Sequence, residues 1–352
     1  MKIVHMVWGL EIGGIETMLI EIMNEQSLLH DVTLIVINNE VNAKLLGAIN
    51  KKINICLVRR PRNSKNPYYW LLLGVYLIST RAKIFHVHQD SILKILKFFP
   101  GKKVITIHDT GIEPQFSKMY ADHIFCISKA VFNDLCAKLI GKSLAIVPNG
   151  ISVEQFQVKN EYASSAFKVV QIARLDHNKK GQDILLYALA LFCKQFPNVP
   201  ITIDFIGEGL SLTYLQHLAV ELNIHERCAF LGSKSRAFLY AHLKDYDLLV
   251  QPSRFEGFGL SVVEAIAAQV PVLVSDIEGP MEIIENGKLG YCFKIGNYQD
   301  CADTMHRILQ DRLLPVFIEE MRIRRQHILE TYDVRKTARS YVSEYEQLQD
   351  TR

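Results

Sequence analysis

The sequence predicts an α/β protein built of two Rossmann-like domains, each around a parallel sheet, facing one another across a cleft. Three observations carry that prediction. The chain has 352 residues, too many for one ordinary core and a natural length for two domains. Short, uniformly apolar runs alternate with helical patterns, as they do where strands are buried on both faces of a parallel sheet. The alternation comes in two series separated by a single interruption.

The first series of apolar runs covers residues 3–7, 32–37, 53–58, 84–87, 104–107, 123–126 and 144–147, with helix-like segments such as 16–28 and 129–138 between them. The pattern stops at Pro148-Asn149-Gly150 and resumes after the polar stretch Lys159-Asn160-Glu161-Tyr162-Ala163-Ser164-Ser165, which places a domain boundary there. The second series covers residues 168–172, 201–206, 229–231, 248–251, 272–275 and 291–293. A last segment, about 334–348, reads as a terminal helix. The expected division is therefore 1–160, 161–330 and a C-terminal helix within 331–352.

Hydrophobic residues make up 49% and charged residues 22% of the chain, the balance of a folded protein without disordered tracts. The seven cysteines are scattered, odd in number and never spaced C-x-x-C. That excludes a disulfide framework or a cysteine zinc site as the organising principle, and fits a reducing cytoplasm. The N-terminus reads as a first strand and not as a signal peptide. The longest apolar run, residues 68–78, falls short of the roughly 20 residues that span a bilayer. The formal net charge is only +3, but residues 51–103 hold twelve Lys or Arg and one acid, Asp90. Such a stretch is either a solvated face or a surface for anionic lipid or nucleic acid.

The strongest chemical signal is Gln251-Pro252-Ser253-Arg254-Phe255-Glu256-Gly257-Phe258-Gly259-Leu260-Ser261-Val262-Val263-Glu264-Ala265. A buried strand ends at Gln251, two glycines follow in a loop, and a helix begins near Leu260. Glycines permit close backbone approach, and the first N–H groups of a helix lack internal partners, so the junction suits a phosphate. Read without further context, it is equally a tight strand–helix turn with exposed glutamates. The second signal, Ala173-Arg174-Leu175-Asp176-His177-Asn178-Lys179-Lys180-Gly181-Gln182-Asp183, also joins a strand to a helix. Cations there sit where open α/β sheets bind ligands, and Lys before a helix start is otherwise unfavourable. The third, Gly9-Leu10-Glu11-Ile12-Gly13-Gly14-Ile15-Glu16, follows the first strand but lacks the G-x-G-x-x-G of a dinucleotide site.

These segments resemble family 4 of the glycosyltransferases, the retaining enzymes of the GT-B fold. The resemblance rests on Gly13-Gly14-Ile15-Glu16, Thr106-Ile107-His108-Asp109, Ile127-Ser128-Lys129, Val147-Pro148-Asn149-Gly150-Ile151, the Arg174 and Lys180 loop, Ile206-Gly207-Glu208-Gly209, and Glu256-x7-Glu264, taken in order. It implies transfer of a hexose from a nucleotide-diphosphate sugar, UDP-sugar by preference, to a hydroxyl of a glycan or lipid-linked glycan in surface polysaccharide biosynthesis. No resident cofactor or metal is implied. The N-terminal domain would bind acceptor, the C-terminal domain the nucleotide sugar, and the last helix would pack back on the N-terminal domain.

The residue roles come from the same resemblance. Arg174 and Lys180 would neutralise the leaving diphosphate, with Lys179 close by. Gly257, Phe258, Gly259 and Leu260 would offer backbone donors. Glu256 would hold donor-sugar hydroxyls and Glu264 the ribose. Gly13, Gly14 and Gly207 would line the donor site, and His108 would lie near the transferred sugar. The family's lysine stands five residues after the arginine and just before Gly; Lys179 has the first property, Lys180 the second, and the helix start favours Lys180. No carboxylate pair follows glycosidase logic, so front-face substitution with retention is expected.

Other features compete. Asp245-Tyr246-Asp247 looks like a metal-binding D-x-D but precedes a buried strand, which favours a structural role. His86 and His88 alternate on a strand, with no third ligand apparent in the sequence. Two basic and apolar stretches, residues 59–73 and 92–99, fit peripheral attachment to an anionic bilayer on the cytoplasmic face, or ordinary helices with buried faces. The competing functions are a nucleotide-sugar epimerase or phosphorylase of the same fold, and a non-catalytic lipid- or nucleic-acid-binding protein. No nucleic-acid module is evident.

Overall fold

The protein is described by a computed structural model covering residues 1–11, 13–163 and 166–350. Ile12 of the glycine loop, and Ser164 and Ser165 of the polar stretch, lie outside the described residues.

Two compact units make up the chain. One comprises Met1–Ile151 together with the C-terminal segment from Asp333, the other Ser152–Tyr332. The first unit holds seven strands: β1 (Lys2–Val7), β2 (Asp31–Asn38), β3 (Asn54–Arg60), β4 (Ile84–Val87), β5 (Lys102–Ile107), β6 (His123–Cys126) and β7 (Leu144–Ile146). Its sheet has the order β3-β2-β1-β4-β5-β6-β7, and every pairing is parallel. The second unit holds β8 (Phe167–Ile172), β9 (Ile201–Ile206), β10 (Cys228–Phe230), β11 (Leu248–Gln251), β12 (Val272–Ser275) and β13 (Tyr291–Phe293). Its parallel sheet has the order β10-β9-β8-β11-β12-β13. In both sheets the strand order reverses beside the first strand, between β1 and β4 and between β8 and β11. Open α/β sheets bind ligands at such a point, beyond the strands' C-terminal ends.

The apolar runs became strands because both faces are covered. Residues 3–7 are all buried, as are the whole of β4, β6, β11 and β12. The edge strands β3, β7, β10 and β13 are less covered, with intermediate or exposed positions. In the second unit, helices Gln182–Gln195 and Tyr298–Asp311 close the core over β8, β9 and β11 through Leu185, Leu189, Phe192, Met305 and Ile308. In the first, the terminal helix Val334–Asp350 buries Val334, Thr337, Ala338, Tyr341 and Tyr345, one helical stripe. Val334, Ala338, Tyr341 and Tyr345 meet Ile3, Met18, Ile22, Ile84 and Phe125 in one core cluster.

The division between units differs from the boundary expected in the polar stretch. It falls at Ile151/Ser152, and residues 152–163 belong to the second unit. Tyr162 is the reason. It is buried against Phe317 and Met321, and its hydroxyl donates to the Gln269 carbonyl at 2.6 Å. The Gln157 and Lys159 amides donate to the carbonyls of Tyr240 and Ala268. A stretch polar in composition is thus anchored by one aromatic residue and its backbone.

Candidate active site

In the second unit, the loops leaving β8 and β11 are packed backbone against backbone. Gly181 adopts φ +65°, and a Cβ there would strike the Pro252 carbonyl, so only glycine lets the loops approach. The Arg254 and Phe255 amides donate to the Lys179 carbonyl at 2.8 and 3.2 Å. The Arg254 guanidinium grips Asp183 with two bonds of 2.8 Å and the His177 carbonyl at 2.6 Å.

This framework sets Lys180 against Glu256. The Lys180 ammonium donates to Glu256 Oε2 at 2.6 Å, and Gln251 Nε2 donates to the same oxygen at 2.7 Å. Gln251, buried at the end of β11, accepts in turn from the Ser261 hydroxyl at 3.1 Å. Lys180, Glu256, Gln251 and Ser261 are therefore one connected polar network. It ends at the start of helix Leu260–Ala267, whose N-cap is Gly259 at φ +112° and which no side chain caps. An uncapped helix start beside a fixed cation has the charge that suits a phosphate group.

Of the other expected residues, Arg174 is exposed in the loop after β8, while its carbonyl is held by Gln182 Nε2 at 2.9 Å. Lys179 is exposed. Gly207 follows β9 and bridges to Gly232. Gly257 and Leu260 frame the uncapped helix start. Phe258 is buried and packs edge-on against Tyr332, with ring centroids 5.5 Å apart. Its ring belongs to the core, leaving only its backbone to face a ligand. Glu264 is buried and ion-paired with Arg236, whose guanidinium lies 5.0 Å from the Tyr240 ring centre.

In the first unit, Gly13 and Gly14 begin the helix Gly14–Gln26 after β1, and His108 follows β5. His108 is the outermost of a line of histidines on one face of the sheet. His5 on β1 and His86 on β4 are in register, and His88 and His108 continue the same alternation. Burial holds His5 and His108 down to about 4 and pushes His86 and His88 well below the ordinary histidine value, so all four are neutral at pH 7. His5 supplies what the sequence lacked, a third imidazole within 4.8 Å of those of His86 and His88. Both His86 nitrogens are occupied, however, by Tyr345 Oη at 2.6 Å and Thr106 Oγ1 at 2.7 Å.

Asp247 of the D-x-D is buried and structural: it pairs with Lys159 and Arg312, each at 3.1 Å, and accepts from the Lys168 amide. The basic stretches divide. In residues 92–99, Ile92, Leu93 and Leu96 are core, leaving Lys94, Lys97 and Phe98 outside. Helix Pro67–Thr80 buries only Leu73 and Leu77. Its Tyr68, Leu71, Val75 and Ile78, spaced along one helical face, are exposed. Among the described residues no helix is long and apolar enough to cross a membrane.

Sequence reading missed Gln251, Ser261, Arg236, Gln26 and His5. A signal existed for Arg236. It opens helix Arg236–His242 behind Ser235, an unfavourable place for a cation, which is the argument that singled out Lys180.

Two parallel-sheet Rossmann-like units make up the GT-B class of fold. Residues 12–155 match the Glycosyltransferase Family 4 model and residues 152–326 the Glycosyl transferases group 1 model, so the chain carries one domain of each. The fold is shared with the crystal structure of a glycosyltransferase from Rickettsia africae, at a TM-score of 0.82 and 18% identity over 99% of both chains. It is shared equally with HepE of Anabaena in complex with UDP and glucose, at a TM-score of 0.80 and 20% identity over 98% of this chain and 99% of that one. In sequence, 202 residues are 27% identical to the phosphatidylinositol N-acetylglucosaminyltransferase gpi3 subunit of Schizosaccharomyces pombe. That match covers 56% of this chain and 43% of the relative, less than half of its length.

Proposed function

We propose that the chain is a retaining glycosyltransferase that moves a hexose from a UDP-sugar to a hydroxyl of a lipid-linked or other glycan acceptor. The observation that carries this is the Lys180–Glu256–Gln251 network, set at the β8/β11 switch point beside an uncapped helix start. UDP and glucose in the HepE structure, and the phosphatidylinositol acceptor in the name of the yeast relative, support the choice of donor and of a lipid-linked acceptor.

The chemistry follows from charge. Breaking the anomeric C–O bond leaves negative charge on the diphosphate and builds positive charge on the sugar. Lys180, Arg174 and the amides from Gly257 to Leu260 would stabilise the first, and preorganised groups of this kind supply most of such a rate. Glu256 is held by two donors and would share its other lone pairs with sugar hydroxyls. Glu264, already bound to Arg236, would hold the ribose. Neither carboxylate is free to act as a nucleophile. The acceptor's proton would then pass to the departing phosphate oxygen as the new C–O bond forms on the same face, with retention. The first unit would bind the acceptor, with Gly13 and Gly14 at its helix start and His108 near the transferred sugar.

Attachment to an anionic bilayer is part of this reading. The exposed stripe of helix Pro67–Thr80 is flanked by exposed Arg59, Arg62, Lys65, Arg81 and Lys83, the composition that holds a helix at a charged lipid surface. The reading is tested by incubating the purified protein with UDP-, GDP- and ADP-sugars, following thermal shift and nucleotide release. Stabilisation by UDP and slow release of UDP from one UDP-hexose are expected; no response to any nucleotide sugar would overturn it.

A further inference from the structure

The histidines of the first unit form a directed chain of hydrogen bonds. Gln26 Oε1 lies 2.8 Å from His5 Nε2, His5 Nδ1 lies 3.4 Å from His88 Nε2, and His88 Nδ1 lies 3.1 Å from His108 Nε2. An amide oxygen only accepts, so His5 carries its proton on Nε2. A neutral imidazole has one donor and one acceptor, so His5 Nδ1 accepts from His88 Nε2–H, and His88 Nδ1 accepts from His108 Nε2–H. His108 Nδ1 is then a bare acceptor. It is buried and has no protein partner among the described residues, and leaving such a group unsatisfied is costly.

We infer that Gln26, His5 and His88 are positioning residues that fix His108 in its Nε2–H tautomer, so that His108 Nδ1 accepts a hydrogen bond from a hydroxyl of the bound sugar. The hydroxyl as ligand rests on the glycosyltransferase reading; the tautomer does not. His86 takes a separate path. Tyr345 stays protonated because burial raises it well above the ordinary tyrosine value. Its Oη meets His86 Nδ1 and Thr106 Oγ1 meets His86 Nε2; both are hydroxyls that can donate or accept, so either His86 tautomer is satisfied. With both nitrogens spent on hydroxyls, His86 is a wall of the chain, stacked on His88 at 4.5 Å between ring centroids. The cluster is thereby a hydrogen-bonded stack in place of a metal site.

The test is long-range ¹H–¹⁵N correlation NMR on the full chain labelled at the histidine rings, with His5, His88 and His108 assigned by single His→Gln variants. All three are expected as neutral Nε2–H tautomers, unchanged between pH 8 and pH 6. A Nδ1–H tautomer or an imidazolium at His108, or a stoichiometric metal ion that shifts His5, His86 and His88 together, would overturn the inference. As a second measurement, Gln26→Leu removes the terminal acceptor. It should mix the tautomers at His5 and His108 and lower kcat about tenfold, the worth of one hydrogen bond, while UDP binds as before. An unchanged tautomer in that variant would also overturn it. Failure of the nucleotide-sugar panel with the tautomer intact would instead sink the enzymatic reading alone.

Discussion

Lys180 and Lys179 differ by one position and by what their side chains meet. The Lys180 ammonium is committed to Glu256, whereas Lys179 contributes its carbonyl to the Arg254 and Phe255 amides and turns its side chain to water. Removing Lys180 takes a cation from the network and leaves Glu256 as an uncompensated carboxylate beside the proposed phosphate site. Lys180→Ala should therefore lower kcat by about 10² to 10³, the range for losing one preorganised charge-stabilising group. Lys179→Ala should fall within severalfold of the parent, and steady-state kinetics on both variants decides the matter; an essential Lys179 would mean that the loop is read one residue out of register. The sequence made this pair visible through a cation before a helix, and made Glu256 and Glu264 visible through glycine spacing. It hid Gln251 because a glutamine closing an apolar strand has no periodic signature, and hid His5 because its bonded histidine, His88, lies 83 residues away in the chain. The histidines also carry a pH consequence. An unfolded histidine takes its proton near 6.5 and folded His5 only near 4, so the unfolded state binds more protons between those values. Stability is full above about pH 6.5 and is lost as pH falls toward 4, on the order of 2 kcal/mol from His5 alone at pH 5. Urea unfolding at pH 7.5 and pH 5 should show this loss, and His5→Gln should shrink the difference; an unchanged difference would place the acid sensitivity elsewhere.

At the scale of single elements, helix Pro67–Thr80 is the one whose sequence leaves its environment most open. Fourteen mostly apolar residues fit either a helix with a buried face or one at a lipid surface, and only Leu73 and Leu77 are buried. Composition says how apolar a helix is, and the pattern fails to show which face is covered when nearly every position is apolar. Leu71 and Ile78 are 71% and 70% exposed, so changing them removes little native packing. Each has about 1.5 to 3 kcal/mol to gain from full burial in an apolar phase. The double variant Leu71→Glu, Ile78→Glu should therefore keep the parent's melting temperature while losing co-sedimentation with anionic vesicles. Neutral vesicles should bind the parent weakly, and raised salt should weaken the anionic case because the flanking arginines and lysines act through screened charge. Equal lack of binding to anionic and neutral vesicles would remove the membrane from the account. By contrast, the terminal helix Val334–Asp350 shows its burial in its spacing: Val334, Thr337, Ala338, Tyr341 and Tyr345 recur at helical period.

For the whole molecule, the two strand series were legible because parallel strands buried on both faces leave uninterrupted apolar runs. The exchange point at Ile151/Ser152 was not, since it depends on long-range partners of Tyr162, Gln157 and Lys159. Under the proposed function the two units take different ligands. The second unit holds its polar network between β8 and β11, built wholly from its own residues. The first holds the histidine chain, the glycine-led helix start and the apolar stripe. If the second unit binds the nucleotide, UDP alone should slow amide hydrogen exchange in residues 173–181 and 251–264, because ordering those loops removes the local openings through which their amides exchange. The first unit's core should stay at its own exchange rates with UDP alone, and its loop at residues 9–16 should gain protection only when a sugar-bearing donor or an acceptor is added. Hydrogen-exchange mass spectrometry on the intact chain reads both units in one experiment. Protection by UDP confined to the first unit would reverse the assignment of donor and acceptor, and with it the role given to Lys180 and Glu256.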